Sequence, residues 1–280
     1  MSNNLIQNIA IENIQKAMKS VAKSEIKPTA AMQKEAFEKF IQKGLPGRKN
    51  ENYNYTSLEQ HYTGKYEYYP FTKSLNINID DVFKCDVPSL DTELIVLVNG
   101  WYNVSPSQPK LKKHNNGIII GSLIEAMLQF PELVLNYFGK ASAQHFDEID
   151  TINQALMQDG LFIYIPQGAK FEKPIQVINI VVADEPIQIY PRHLFISESE
   201  EENQILICDH SLNPNPFIMN GTTEVFLKST AKLSFYRMQN AHNHSVQLTN
   251  NYVVQSKGSG FHSVFVTLHG GTVRNNIWID

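Results

Sequence analysis

Hydrophobic residues in the first 45 positions recur at the three- and four-residue spacing of amphipathic helices. The first stripe predicts a helix over residues 4–23 and consists of Ile6, Ala10, Ile14, Met18 and Val21. A second helix is predicted after Pro28, with its apolar stripe at Met32, Ala36, Phe37, Phe40 and Ile41. Gly44 and Pro46 should end this helix, as a flexible C-cap followed by a helix breaker.

Short strands and helical turns alternate in the middle of the chain. Residues 94–98 are predicted to form a strand, and the following Asn99-Gly100 predicts a tight hairpin turn into residues 101–104. Residues 118–120 form another strand candidate. Ser122 and Glu125 have the spacing of a capping box, which predicts the start of a helix. Further helical turns are expected from Pro131 and over residues 150–157.

The pattern changes at Asp159 to a succession of short strands and turns that continues to Asp280. The predicted strands cover residues 161–165, 175–182, 187–189, 193–196, 204–208, 223–227, 232–236, 245–254 and 261–268. Turn-like clusters fall near Gly168, Glu200, Ser229 and Gly258, about 30 residues apart. This period favours a solenoid in which each coil contributes two or three strands. An antiparallel sandwich would give a similar number of short strands and stays an alternative.

Composition limits the classes of function. The chain has 280 residues, of which 42% are hydrophobic and 19% charged, as in an ordinary folded protein. Its formal net charge of −4 argues against a nucleic-acid partner. No apolar run approaches the roughly 18 residues that span a bilayer, and the N-terminus does not resemble a secretory signal. We therefore expect a cytoplasmic protein without a membrane partner.

Cysteine and histidine residues are the candidates for metal chemistry. Cys85 and Cys208 are far apart and are expected to be reduced core thiols, with metal ligation as the alternative. His242 and His244 would lie on one face if they are in a strand. Two further histidines, His210 and His269, lie about one coil away from this pair, one on either side. A surface histidine ladder for iron or zinc is one hypothesis. A hydrogen-bonding strand edge explains the same residues and is the favoured interpretation.

Three other segments invite a functional interpretation. The acidic run Glu198–Glu202 is interpreted as a solvated turn rather than an iron-donating patch. The loop Arg48–Tyr55 is expected either to bind a partner or to pack the helical region on the strands. Gly258–Gly260 is too short to cradle a phosphate and is expected to be a turn.

The chain also lacks a G-x-x-x-x-G-K-[ST] loop and a G-x-S-x-G elbow. We therefore assign no catalytic, cofactor-binding or metal-binding residue.

Three separated segments of the chain carry motifs of one known protein family, the SufB/SufD family being indicated by residues 44–58, 97–107 and 159–177. GLPGRKNENYNYTSL, residues 44–58, is similar to the SufD signature G-L-P-T-R-K-x-E-x-W-K-Y-T. LVNGWYNVSPS, residues 97–107, resembles the SufD element F-V-N-G-x-F-x-P-x-x-S. DGLFIYIPQGAKFEKPIQV, residues 159–177, resembles the beginning of the core domain that SufB and SufD share. The chain departs from the signature at Gly47, Tyr53 and Asn54.

The resemblance implies a mainly β fold, with a right-handed parallel β-helix after a helical and mixed α/β N-terminal region. We expect the two parts to cover residues 1–155 and 156–280. The family also carries a further β-helix section and terminal helices that dock an ATPase. We therefore expect this chain to lack about the last third of the family's length and to be less than fully competent in the complex.

The resemblance also implies a non-catalytic scaffold that supports iron–sulfur cluster assembly and iron acquisition. Its implied partners are a SufB-like scaffold and a SufC-like ATPase, with a homodimer possible when the protein is alone. Two cysteines cannot supply the four thiolates that usually hold a cluster. The chain is therefore expected to bind no cofactor alone, and the complex as a whole would handle the cluster. The alternative hypothesis is a β-helix enzyme acting on polysaccharide, such as a lyase.

Overall fold

The helices of the protein lie before the long run of strands, as its sequence predicts. A computed structural model describes residues 3–21, 28–46, 50–56, 58–70, 90–145 and 147–280. The helices are α1 (Asn3–Val21), α2 (Ala30–Lys43), α3 (Leu58–His61), α4 (Leu123–Gln129), α5 (Pro131–Leu135) and α6 (Glu148–Leu156). Two short 3₁₀ turns cover Glu51–Tyr53 and Ser142–Gln144. Within the described ranges, no helix combines the length and the apolar character needed to cross a membrane.

The predicted helix boundaries are confirmed where the chemistry of capping is clear. Gly44 has φ +72° at the end of α2, and its N–H donates to the Phe40 carbonyl at 2.7 Å. Ser122 caps α4, because its hydroxyl accepts from the Glu125 N–H at 3.2 Å. The reciprocal half of the predicted capping box is replaced, since the Ser122 N–H donates to the Lys110 carbonyl instead.

Fourteen strands among the described residues form two sheets. The strands are β1 (Glu93–Val98), β2 (Trp101–Asn103), β3 (Leu111–Lys113), β4 (Ile119–Ser122), β5 (Leu161–Ile165), β6 (Ile175–Val181), β7 (Ile187–Ile189), β8 (Arg192–Ser197), β9 (Glu202–Ser211), β10 (Phe217–Leu227), β11 (Lys232–Asn240), β12 (Ser245–Gln255), β13 (Gly260–His269) and β14 (Thr272–Ile279). Sheet 1 has the order β13-β11-β9-β6-β1-β2. Sheet 2 has the order β14-β12-β10-β8-β5-β4-β3, with β7 paired to β10.

The strands after residue 160 stack in parallel, so that the chain climbs by one coil for each pair of strands. Ile163 pairs with Phe195, which pairs with Val225, and Val225 pairs with Val253, at separations of 28 to 32 residues. Sheet 1 is stacked in the same way. This geometry confirms a parallel β-solenoid, of about four coils, and excludes the antiparallel sandwich.

Turns at one corner of the solenoid recur at the positions expected from the sequence. The turn containing Gly168 lies beside Glu200 in the next coil, and the Gly168 N–H donates to the Glu200 carboxylate at 3.3 Å. Thr230 and Gly258 adopt positive φ values of 64° and 80° in the two coils that follow. A turn with a residue at positive φ is therefore found in three of the four coils, at Gly168, Thr230 and Gly258, and these turns coincide with turn clusters in the sequence.

Strands from the N-terminal region continue the solenoid sheets. The strand β1 pairs in parallel with β6, and β4 pairs antiparallel with β5. The predicted hairpin after β1 is confirmed, with Asn99 at φ 50° and Gly100 at φ 83°. The predicted division between residues 155 and 156 stays a prediction.

The helical region packs on the outer face of sheet 2. Its core contains buried residues of α1, α2 and α6, such as Ile14, Phe40 and Ile152. These residues form one cluster with Ile218 and Leu248, whose side chains point outward from sheet 2 towards the helices. Helices and solenoid therefore share a continuous apolar core at this junction.

Candidate functional site

The four histidines proposed from the sequence gather at one corner of the solenoid, but not in the predicted arrangement. His210 and His269 both pair in register with Asn240, so stacking of equivalent positions is confirmed for these two. His242 and His244 lie in the turn between β11 and β12. The condition for a shared strand face is therefore not met, because β11 ends at Asn240 and the chain turns the corner there.

Hydrogen bonds hold the His242 ring in the turn. Its Nδ1 accepts from the His244 backbone N–H at 3.0 Å, so Nε2 carries the proton and donates to the Asn215 carbonyl at 2.8 Å. Burial lowers the pKa of His242, and the neighbouring His244 and His269 lower it further. No three His, Cys, Asp or Glu side chains of the described chain are grouped to hold a metal ion. The histidine-ladder hypothesis therefore gains no support.

Cys208 occupies a structural position in β9. Its side chain is fully buried among Val96, Ile178 and Ile180, and the Gln176 side-chain amide approaches its sulfur at 3.9 Å. This placement agrees with the interpretation of Cys208 as a core thiol. Cys85 lies outside the described residues.

The acidic run Glu198–Glu202 is a turn whose carboxylates contact neighbouring coils. Glu198 accepts from the Tyr164 hydroxyl at 3.1 Å, and Glu201 lies 4.0 Å from the Lys170 ammonium. Glu202 accepts a short hydrogen bond from the Ser234 hydroxyl. The structure therefore agrees with the turn interpretation. Gly258 and Ser259 likewise belong to an ordinary turn, in which the Ser259 N–H donates to the Ser256 carbonyl.

The loop after α2 contributes to packing at the helix–solenoid junction. Tyr53 is 1% exposed and donates to the Asp147 carboxylate at 2.5 Å. The Arg274 guanidinium lies 4.3 Å from the centre of the Tyr53 ring. Tyr55, two residues further, is fully exposed. Arg48 lies outside the described residues, so its role stays a prediction.

A buried ion network at this junction was not anticipated from the sequence. Arg192 in β8 is fully buried, and its guanidinium contacts Asp150 of α6 at 2.9 Å and Glu224 of β10 at 3.1 Å. Burial alone would lower the pKa of Arg192, but the two carboxylates outweigh it and raise the pKa. The sequence signal for it is a charged residue next to apolar residues in each of two strands, Arg192 before Leu194-Phe-Ile196 and Glu224 before Val225-Phe-Leu227.

Glu224 extends the network to the backbone of the segment between α5 and α6. Its carboxylate accepts the N–H groups of Gly139, Ala141 and Ser142 at 2.8 to 3.1 Å. The Ser142 hydroxyl accepts in turn from Arg192 at 2.9 Å. Both terminal nitrogens of the Arg192 guanidinium are paired inside the protein, whereas its Nε has no partner among the described residues. The network is buried, so it fixes the junction and does not present a reactive group to solvent.

Polar side chains also form a layer inside the solenoid, between two apolar clusters. One cluster includes Val177, Phe195 and Phe235, and the other includes Ile189, Met219 and Ala241. Because side chains alternate along a strand, the polar residues between these positions also face inward. We define the polar layer as Asn179, His193, Asp209, Thr223, Arg237, Gln239, Gln247, Thr249 and Asn251, each at most 3% exposed.

An ion pair lies at the centre of the polar layer. The Arg237 Nε donates to the Asp209 carboxylate at 2.8 Å, and the Asn179 amide donates to the same carboxylate at 3.0 Å. The Leu161 N–H donates to His193 Nδ1 at 3.0 Å. Burial, together with the charge of Arg237, lowers the pKa of His193 to about 3. His193 is therefore a neutral histidine at physiological pH.

Family models match nearly the whole chain. The SufBD protein N-terminal region matches residues 7–177. The SufBD core domain of SUF-system FeS cluster assembly matches residues 180–280. Both matches agree with the resemblance drawn from the three sequence segments.

Curated relatives carry the same description at low identity. An iron–sulfur cluster assembly SufBD family protein of Synechocystis is 22% identical over 247 residues, covering 83% of this chain and 52% of the relative. A chloroplastic SufBD family protein of Arabidopsis thaliana is 30% identical over 83 residues, covering 30% of this chain and 15% of the relative. The SufD protein of Bacillus subtilis is 22% identical over 130 residues, covering 45% of this chain and 29% of the relative. The chain spans about half the length of the Synechocystis relative. On the two family models and the solenoid fold, the chain belongs to the SufBD family of the SUF iron–sulfur cluster assembly system.

Proposed function

We propose that the protein is a non-catalytic scaffold subunit in SUF iron–sulfur cluster assembly, acting in the cytoplasm. Its partners would be a SufB-like scaffold and a SufC-like ATPase. The observation that carries this proposal is the match of the two SufBD family models to residues 7–177 and 180–280. The relatives named above are described as iron–sulfur cluster assembly proteins, which supports the same process.

The chemistry of the chain is consistent with a supporting role. It lacks a phosphate-binding G-x-x-x-x-G-K-[ST] loop, so ATP hydrolysis would be the task of a partner. Its two cysteines are fewer than the four thiolates of a usual cluster site, and Cys208 is fully buried. A cluster would therefore need ligands from a partner, and this requirement favours a heteromeric complex.

Co-expression tests the proposal. The gene product carries an affinity tag and is expressed with the SufB-like and SufC-like proteins of the same organism. We expect both untagged partners to be retained on the affinity resin in fixed ratio to the tagged protein. The same partners expressed without the tagged protein provide the control for nonspecific binding. Failure to recover either partner, or depolymerisation of polysaccharide by the purified protein, would contradict the proposal.

A further inference from the structure

The polar layer contains more hydrogen-bonding groups than the protein itself satisfies. Buried atoms without a partner among the described residues include His193 Nε2, Gln239 Nε2, Asn179 Oδ1 and Asn251 Oδ1. Both polar atoms of the Gln247 side chain have none either. A buried amide left without a partner costs about 1–3 kcal/mol, so this many orphaned groups in one layer requires an explanation.

Turning the amide groups around would not remove the orphaned atoms. The Asn179 nitrogen faces the Asp209 carboxylate at 3.0 Å, and a turned amide would place oxygen against oxygen. The Gln239 oxygen accepts from the Asn275 amide at 2.8 Å, and the Asn251 nitrogen donates to the Asn276 carbonyl at 3.1 Å. Each of these amides is therefore fixed by the partner at its other atom.

The chemistry of the orphaned atoms selects a neutral ligand. His193 accepts at Nδ1, so its Nε2 is a donor, as is Gln239 Nε2. Asn179 and Asn251 present acceptors. A cation would be repelled by the donors and an anion by the acceptors, and the only opposite charges in the layer already form the Asp209–Arg237 pair. A small molecule that both donates and accepts matches the hydrogen-bonding character of both kinds of group.

The wall of the polar layer leaves room for such a molecule. Gly221 of β10 lies between the inward-facing Met219 and Thr223 and has no side chain to fill its position. A methyl group placed there would meet nothing closer than the Pro191 ring, at 3.6 Å. A methyl-sized space is therefore open at Gly221, on the inward face of the strand that also carries Thr223 of the polar layer. A space of this size is comparable to that of one water molecule.

We propose that the polar layer is a binding site for internal water molecules, which bridge the orphaned groups of neighbouring coils. The waters form part of the solenoid interior, between its two apolar clusters. They join Gln247, His193 and Asn251 of sheet 2 to Asn179 and Gln239 of sheet 1.

Gln247→Met tests the proposal through the sign of its effect on stability. The Gln247 amide makes no hydrogen bond to a described residue, and methionine has a similar volume, so any hydrogen bond lost is one to water. If water is bound, the variant loses those bonds, and its unfolding equilibrium constant in urea rises about threefold to tenfold. If the layer is dry, the variant removes an orphaned amide and the unfolding constant falls. A fall, or no change, overturns the proposal.

Thr249→Val is the matched control, because the Thr249 hydroxyl lies in the same layer, donates to the Asn275 side-chain oxygen at 2.6 Å and is not among the orphaned groups. It should raise the unfolding constant whether the layer is wet or dry, which shows that the assay detects a lost bond. A crystal structure of the wild type gives an independent readout if a variant fails to fold. We expect ordered water within about 3 Å of the Gln247 amide. Well-ordered side chains with no water between them contradict the proposal.

Discussion

His193→Asn should remove a defined part of the protein's loss of stability in acid. The native state holds His193 neutral, with its pKa lowered to about 3 by burial and by the charge of Arg237. The ordinary pKa of 6.5 applies in the unfolded chain. Between these two values the unfolded state binds a proton that the native state does not. The contribution of His193 to stability is therefore complete above pH 6.5 and is lost progressively as the pH falls towards 3.

The expected size of the effect follows from these two pKa values. Between pH 7 and pH 5, preferential protonation of the unfolded state at His193 costs about 2 kcal/mol of unfolding free energy. Asparagine does not titrate, and its side-chain oxygen can replace Nδ1 as the acceptor for the Leu161 N–H. The variant should thus be less sensitive to acid by about this amount, whatever its stability at pH 7.

Urea unfolding at pH 7 and pH 5, for the wild type and the variant, measures the difference directly. Subtracting the two proteins cancels the titration of all other groups. His244→Asn, at an exposed position in the turn between β11 and β12, controls for the loss of one imidazole. Equal losses of stability between pH 7 and pH 5 in the wild type and His193→Asn would show that His193 is not held neutral by burial.

Two further predictions concern the junction and the backbone. Arg192→Met leaves the carboxylates of Asp150 and Glu224 buried without their cation. Urea unfolding should show that this costs about 3–5 kcal/mol of unfolding free energy. No loss of stability would show that the network is solvated. Gly160→Ala should abolish soluble expression, because its new methyl carbon would lie 1.7 Å from the Arg192 carbonyl oxygen. At Gly168 an added methyl carbon would meet no atom within 4 Å, but the residue has φ +72°. Gly168→Ala should therefore cost only about 1–2 kcal/mol of unfolding free energy. Equal effects of the two glycine variants would refute the steric argument.

Local patterns in the sequence predict the elements of the fold well, because each depends on neighbouring residues. The helices α1 and α2, the hairpin at Asn99-Gly100 and the repeated corner turns all follow from spacing and turn chemistry. The joining of β1 to β6 depends on a contact about 80 residues apart and has no local signal. The sequence also shows the period of about 30 residues. It does not show which residues stack on one another, because that depends on the pairing register of the strands.

The sequence predicts the positions of polar side chains less well than the positions of strands. His242 and His244 look like a strand pair only if β11 continues beyond Asn240. Arg192 and Arg237 look like ordinary surface charges until the fold buries them against Glu224 and Asp209. Sequence reasoning assumes that charged residues are solvated, and this assumption fails where two charges are buried as a pair.

Cluster assembly by the reconstituted complex measures whether the protein acts as a scaffold subunit. The SufB-like and SufC-like proteins that we propose as partners are purified with and without the gene product. Cluster formation is followed by visible absorbance after addition of iron, a sulfide source and ATP. We expect faster cluster formation when the gene product is retained in the complex, and no ATP hydrolysis by the gene product alone. Equal cluster formation without it, by SufB-like and SufC-like proteins that never retain it, would show that the protein is not a scaffold subunit of this complex.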